Sequence, residues 1–452
     1  MFSTIAVVLI LVVLMQKFWL LLIVMWISTA QTEEILTLHG SNTVGADLAP
    51  RLAGDYLEKL GAVHIEKVMK SNANEMVITG YFNTQSSKSI SIHAHGSSTG
   101  FKGLIGQAAD IAMSSRPIKH EENLMLMGLW GDLTTPVNEH VIALDGLAIV
   151  THESNVVKSL TLSELAAVFS GEINNWKQLG GLDLAINLYA RDDVSGTYDT
   201  FKSLVLKSHK KKLSQDAKRF ESNSQLVEQV MQDQGGIGFT GLAYAPDQVL
   251  VKIAAAKGLP EIKPDIFSVA SEDYPLARRL FLYGNTEKNS NPHVAKFIEF
   301  AKTLSSQKVV ANVGFVAQQI SESQLILNDD APEAYRQLAQ QANRLSTTFR
   351  LRAERATIDT KSMQDIKRLV AYFEKLSPKK IILVGFSADE SGPERNQKRA
   401  YIRSKLLAYE LRQYGFRNVE IISMGSQLPI DSNQSAQGRF KNNRTEIWVS
   451  RS

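Results

Sequence analysis

Residues 35–60 read ILTLHGSNTVGADLAPRLAGDYLEKL, and the fold class is decided there. A β-rich run at 35–38 leads into Gly40-Ser41-Asn42-Thr43. Leu48, Leu52, Tyr56 and Leu60 then recur every four residues on one helix face, which Gly61 stops. The same strand, turn and helix sequence recurs downstream. A strand at 90–93 precedes a helix over 101–108, and further helices are predicted at 162–169 and 197–206. The apolar run 141–151, with Gly146 inside it, predicts a buried strand crossing between two lobes. Alternation at this rhythm predicts α/β layers with mixed sheets. The last hundred or so residues repeat it on a smaller scale. Met363, Ile366, Leu369, Val370, Phe373 and Leu376 line one helix that Pro378 ends. Ala400, Ser404, Leu407, Leu411 and Tyr414 line a second that Gly415 ends. With strands at 381–384, 419–422 and 445–449, this predicts a β-α-β-α-β domain. The polar, Gln/Ala-rich stretch 321–344 between the two parts reads as a linker, with a helical linker as one form of it.

Composition bounds the chemistry. The 452 residues suffice for two to four domains. With 44% hydrophobic and 21% charged residues, the chain has an ordinary globular composition. The absence of cysteine excludes disulfides, thiolate catalysis and Cys-ligated metal centres. The net charge of +4 hides an asymmetry. Residues 331–452 carry 22 Lys+Arg against 12 Asp+Glu, a balance of +10, and the rest carry 28 against 34, a balance of −6. Differently charged parts point to different partners.

The N-terminus reads as an export signal. Apolar runs at 5–15 and 18–27 are split by Gln16 and Lys17, and the second ends in Ser28-Thr29-Ala30, small residues at the −3 and −1 positions before Gln31. The stretch from Met15 is a complete signal peptide by itself, so Met15 is the expected start. An uncleaved anchor is the alternative. In either case the remainder is extracytoplasmic.

Three Ser/Thr-rich turns point to an anion. Gly40-Ser41-Asn42-Thr43 and Gly96-Ser97-Ser98-Thr99-Gly100 each stand between a strand and a helix. Ser195-Gly196-Thr197 precedes a helix, with Arg191 and Asp193 just before it. Helix N-termini present unpaired N–H groups, glycine permits close backbone approach, and Arg offers forked, charge-assisted hydrogen bonds. Any one such turn is most often a simple helix cap. Three in one chain, one with an arginine beside it, favour a ligand.

These turns belong to a longer series of motifs. Gly-Ser-Asn-Thr-Val (40–44), Gly-Ser-Ser-Thr-Gly-Phe-Lys (96–102), Ala-Asp-Ile-Ala-Met-Ser-Ser-Arg-Pro-Ile (109–118), Val-Phe-Ser-Gly-Glu-Ile-Asn-Asn-Trp (168–176), Arg-Asp-Asp-Val-Ser-Gly-Thr (191–197), Gly-Gly-Ile-Gly-Phe (235–239) and Tyr-Pro-Leu-Ala-Arg (274–278) run in order. Over about 280 residues the chain resembles the periplasmic phosphate-binding proteins of ABC importers. The resemblance implies a two-lobed, type II-like binding-protein fold over 34–320 with phosphate, or a similar oxyanion, dehydrated in the cleft. Carried over by position, the site is Ser41, Thr43, Ser97, Ser98, Ser115, Arg191, Asp193, Ser195, Gly196 and Thr197, with Asp193 holding Arg191. Where some members place an aspartate that accepts the proton of phosphate, this chain has Ser115. An insertion around 67–89 exceeds what the family needs.

In the C-terminal part, Asp389 lies in the loop before a helix that carries Asn396 and Arg403, seven residues apart and hence on one face, and Arg444 precedes the last strand. A carboxylate near a guanidinium suits a zwitterion, although a structural salt bridge is the plainer reading. The spacing Asp389-x-x-Gly392, Asn396 to Arg403, Gly425 with Pro429, and Asn442-x-Arg444-x-Glu446-Ile447 resembles the OmpA-like domain, which grips the diaminopimelate of peptidoglycan. That resemblance covers 346–452, with 321–345 as linker. It implies Asp389 and Arg403 as the ligand pair and Asn396 and Arg444 as support. Phe386-Ser387-Ala388 departs from the family's pattern.

The expectation is an exported, periplasmic, non-enzymatic binding protein for phosphate or a similar oxyanion, held to peptidoglycan and the outer membrane region, with an ABC permease as a further partner. No cofactor, metal or nucleic acid is expected. The alternatives are an envelope structural protein whose first domain has lost affinity, and a phosphate-ester hydrolase. The second lacks metal ligands or a nucleophile–base pair in the sequence.

Overall fold

The structure, a computed structural model, describes residues 32–451 apart from 73, 84–85, 194, 288–290, 328, 351–358, 377, 379 and 389–391. The export segment expected over 1–30 lies outside the described residues. The first part is built on twelve strands: β1 (Thr32–Gly40), β2 (His64–Met69), β3 (Glu75–Tyr81), β4 (Ser87–Ala94), β5 (Ile111–Ser114), β6 (Glu139–Thr151), β7 (Ser159–Thr161), β8 (Asn187–Arg191), β9 (Lys218–Phe220), β10 (Gly236–Gly241), β11 (Leu250–Ala254) and β12 (Ala277–Tyr283). Their order is β2-β3-β4-β1-β5-β12-β6-β10-β8-β9, with β11 on β6 and β7 on β11.

Strand β6 joins the two lobes, as the apolar run 141–151 predicts. All thirteen of its residues are buried. Its first half, through Gly146, pairs with β12, and its second half, from Leu147, pairs with β10 and β11. Each lobe has its own core. Leu38, Leu52, Ile92 and Phe297 stand in the first, and Phe169, Trp176, Phe201 and Phe239 in the second. The insertion around 67–89 contributes an antiparallel hairpin, β2–β3, that lengthens the edge of the first lobe's sheet through β4.

The C-terminal part has a second sheet of β13 (Glu322–Ser323), β14 (Ala342–Arg350), β15 (Ile381–Phe386), β16 (Val419–Gly425) and β17 (Arg444–Ser450), in the order β13-β14-β17-β15-β16. Long helices Thr360–Leu376 and Pro393–Gln413 cover it, and Ile366, Leu369, Phe373, Leu407 and Leu411 fill the space between. The expected linker is not a free tether here. Residues 321–345 contain β13, a helix over Glu333–Gln341 and the start of β14. Tyr335, Leu338 and Ala339 pack under the sheet with Trp448 and Phe386. A polar helix with one buried face needs only those few apolar residues, so its composition resembles that of a tether.

The two parts meet over buried ion pairs. Arg344 Nη1 lies 2.6 Å from Asp273, Arg350 Nη1 lies 2.9 Å from Glu272, and Arg279 bridges Glu272 and Asp359 at 2.6 Å each. Arg350 Nη2 also donates to the Ser271 carbonyl at 3.0 Å. Burial raises the Glu272 carboxyl, but Arg279 and Arg350 outweigh it and hold the group well below the ordinary carboxylate range.

Candidate functional site

Three parallel strands of the first lobe end side by side. In the ladders, Gly40 of β1 is level with Ala94 of β4 and with Met113 of β5. The turns that follow, 41–43, 96–97 and 114–115, therefore share one edge, the carboxyl end where ligands of open α/β sheets bind. Gly40 is required here. Its φ is +139°, and a Cβ would stand 2.0 Å from the Met113 carbonyl oxygen, which accepts from Ser41 N at 2.9 Å.

Most of the expected residues meet at this edge. Ser97 Oγ is 3.3 Å from Ser115 Oγ and accepts from Ser115 N at 3.1 Å. Thr43 Oγ1 donates to the Gly196 carbonyl at 3.1 Å, joining the first lobe to the turn of the second. Ser195 caps the short helix Gly196–Phe201 by accepting from Tyr198 N at 3.4 Å. Thr197, next to Gly196, is half-buried. Ser41, Thr43, Ser97, Ser115 and Ser195 are each no more than 8% exposed, and Ser41 Oγ has no hydrogen-bond partner. A buried hydroxyl without a partner costs about 1–3 kcal/mol, so this cluster is built to meet something polar.

Three expected residues sit differently. Ser98 is exposed and accepts from Arg116 Nη2 at 2.9 Å. Arg116 is itself held by Glu122 at 2.7 Å. Asp193 does not hold Arg191. It pairs with Arg219, because it lies past the end of β8 while Arg219 reaches over from the neighbouring β9. Arg191 donates to the Phe220 carbonyl at 3.1 Å, the Glu221 carbonyl and Asn223 Oδ1, and burial lowers its pKa.

Sequence reading missed Arg278 and Asp145. They are register partners on β12 and β6, 3.2 Å apart as an ion pair. Arg278 Nη2 donates to Thr43 Oγ1 at 2.6 Å and to the Gly196 carbonyl at 3.2 Å. Arg278 ends the Tyr-Pro-Leu-Ala-Arg motif, which was the available signal for it.

In the C-terminal part, Arg403 Nη1 donates to Ser387 Oγ at 3.0 Å and to Asn443 Oδ1, which also accepts from Ala388 N at 2.8 Å. Asn396 is buried on the same helix. Asp389 lies outside the described residues. Arg444 turns inward: its Nε donates to Glu446 at 3.0 Å, and its guanidinium lies 3.7 Å from the Phe386 ring centroid. Asn443, rather than the Arg444 that the resemblance implied as support, stands against Arg403. Among the described residues no group of three or more His, Asp or Glu is arranged to hold a metal ion, and no helix is long and apolar enough to cross a membrane.

Comparison with known proteins matches residues 66–303 to the model of the PBP superfamily domain. The phosphate-binding protein PstS of Borreliella burgdorferi is 29% identical over 269 residues, covering 57% of this chain and 90% of that protein. Protein SphX of Synechococcus elongatus is 32% identical over 237 residues, covering 50% and 68%. A solved structure described as "a possible phosphate binding protein from Planctomyces limnophilus" superposes with a TM-score of 0.51 at 23% identity, over 64% of this chain and 94% of that one. That likeness bears on the two-lobed fold alone. Residues 304–452 lie beyond the family match.

Proposed function

The chain belongs to the PBP superfamily, and from that premise we propose that it is an exported periplasmic protein that binds inorganic phosphate or a closely similar oxyanion. The observation that carries this reading is the cluster of five buried hydroxyls from both lobes around Thr43 and Gly196, with Ser41 Oγ unpartnered. A tetrahedral oxyanion accepts many hydrogen bonds, and hydroxyls and backbone N–H groups supply donors without adding net charge. The names of the PstS and SphX relatives support phosphate, and delivery to an ABC permease follows from the same kinship. The role is binding rather than catalysis. Isothermal titration of the chain from Gln31 onward with phosphate, arsenate and sulfate tests it. Phosphate is expected to bind and to raise the melting temperature in proportion to log concentration above Kd. Absence of heat and of any shift with all three anions would sink the reading and favour an envelope protein that has kept only the fold.

For the C-terminal part we propose an OmpA-like role, non-covalent attachment to diaminopimelate-type peptidoglycan. Support comes from the strand and helix order, from Arg403 held against Ser387 and Asn443, and from the balance of +10 over residues 331–452. The chain is expected to co-sediment with purified peptidoglycan, and Arg403→Ala and Asp389→Ala should each release it. Removing one charged partner of a buried pair costs ~2–5 kcal/mol, about thirtyfold or more in affinity. Binding that survives both substitutions but vanishes in high salt would reduce the attraction to general charge.

A further inference from the structure

We propose that the C-terminal part bridges the hinge between the two lobes, limits how far they separate, and so regulates entry to the cleft. The limit on lobe motion stands on the fold alone, and its effect on cargo rests on the oxyanion reading above. Strand β6 starts in the first lobe at Glu139 and passes into the second after Gly146. Hinge motions turn on the few residues where connecting segments cross. A body attached on both sides of that crossing opposes the turn.

The C-terminal part is attached on both sides. On the first lobe, Thr360 Oγ1 donates to Glu139 Oε1, and Asp359 accepts from Arg279 Nη1 of β12 at 2.6 Å. Arg368 Nη1, on the same helix as Thr360, donates to the Gln318 carbonyl at 3.2 Å, and the Gln318 side chain donates to the Val141 carbonyl at 2.8 Å. Glu139 stands six residues before Asp145 along the strand, about 20 Å from the crossing, so this attachment acts with leverage. On the second lobe, Arg344 and Arg350 of β14 hold Asp273 and Glu272, just past the short helix Ile266–Ala270. Val269 and Ala270 of that helix pack in the second lobe's core, and the Arg344 guanidinium lies 5.7 Å from the Phe267 ring centroid. Arg279 joins the two ends, with Nε on Glu272 and Nη1 on Asp359. Asp359, Arg279, Glu272 and Arg350 therefore alternate in sign along one chain of ion pairs. The side chains of Asp359 and Arg350 are each 1% exposed, so water and salt screen these pairs little. Separating the lobes has to break one end of this chain or drag the C-terminal part away with one lobe.

The chain has no cysteine, so two introduced cysteines carry spin labels without background. Lys67→Cys on exposed β2 marks the first lobe, and Gln229→Cys on the exposed face of helix Asn223–Gln232 marks the second. Double electron–electron resonance on this labelled chain reads the distance between the lobes, without anion and with inorganic phosphate. Two isosteric pairs of substitutions release opposite ends of the bridge: Asp359→Asn with Thr360→Val, and Glu272→Gln with Asp273→Asn. Asp359→Asn keeps the oxygen that accepts from Ser362 N at 2.7 Å at the start of the helix. Each pair should widen the anion-free distance distribution at least twofold, and phosphate should narrow it again. Glu420→Gln, which breaks only an exposed pair with Lys380, should leave it unchanged. Should either pair fail to fold by circular dichroism, Thr360→Val alone stands in for it. Release variants as narrow as the parent overturn the proposal, and so does equal widening in Glu420→Gln. Widening that phosphate does not reverse upholds the bridge and counts against the oxyanion reading.

Discussion

Gly196→Ala is expected to remove phosphate binding almost completely while leaving the unliganded protein folded. A Cβ at Gly196 would stand 2.5 Å from Thr43 Cα and 2.8 Å from Thr43 N. Both are backbone atoms of a buried turn, so no rotamer change relieves the contact, and the lobes must separate. Separation breaks the Thr43 to Gly196 bond and the reach of Arg278 to the second lobe. One neutral hydrogen bond at about 0.5–1.5 kcal/mol and one from a charged group at about 1.5–3 kcal/mol correspond to roughly 30- to 10³-fold in Kd. Alanine is otherwise favourable at this helical position, by about 0.5–1 kcal/mol over glycine. Melting without ligand should therefore fall only by what these two hydrogen bonds contribute, with the fold kept. A variant that titrates like wild type would mean that the anion is not bound with the lobes in this closed arrangement.

The second large effect is expected at Glu446, a fully buried carboxylate in the C-terminal part. It accepts from Tyr335 Oη at 2.7 Å, Arg444 Nε at 3.0 Å and Trp448 Nε1 at 3.2 Å, and it lies 3.4 Å from Arg344 Nε. Glu446→Ala leaves two guanidiniums, a phenol and an indole around an empty space. Breaking a buried ion pair from one side costs about 3–5 kcal/mol, a large share of the ~5–15 kcal/mol that holds a typical protein together. Urea denaturation should show a transition for the C-terminal part at much lower denaturant. Glu446→Gln, which keeps an acceptor oxygen, should lie in between. Unchanged midpoints for both variants would show that this network contributes little to stability.

The Ser/Thr-rich turns at the strand ends were legible in the sequence because their chemistry is local. Glycine, serine and threonine between an apolar strand and an amphipathic helix say where a strand ends and what its turn can donate. Arg278 was not legible, because its role depends on antiparallel register. Nothing near residue 278 says that Asp145 will stand opposite it, and the two are 133 positions apart. The expected Asp193–Arg191 pair failed for a related reason. Nearness in sequence suggested a partner, while the parallel pairing of β8 with β9 supplied Arg219 instead. Strand β14 defeats a hydropathy reading. Arg344, Ser346, Thr347, Thr348 and Arg350 are all buried, with the two arginines satisfied by carboxylates of the other part. A polar strand can be interior when its charges are neutralised across an interface, and composition alone cannot distinguish it from a tether.

That interface has a mechanical consequence. A flexible connection of twenty-five residues would let the cleft wander over roughly 25–30 Å around its attachment point. Here Arg344 and Arg350 clamp the C-terminal part onto Asp273 and Glu272, a few residues from Arg278. The binding cleft therefore has no search radius of its own. It stands at a fixed offset and orientation from the C-terminal sheet, so if that sheet is held as proposed, whatever meets the cleft must approach from one side rather than wait for it to swing round.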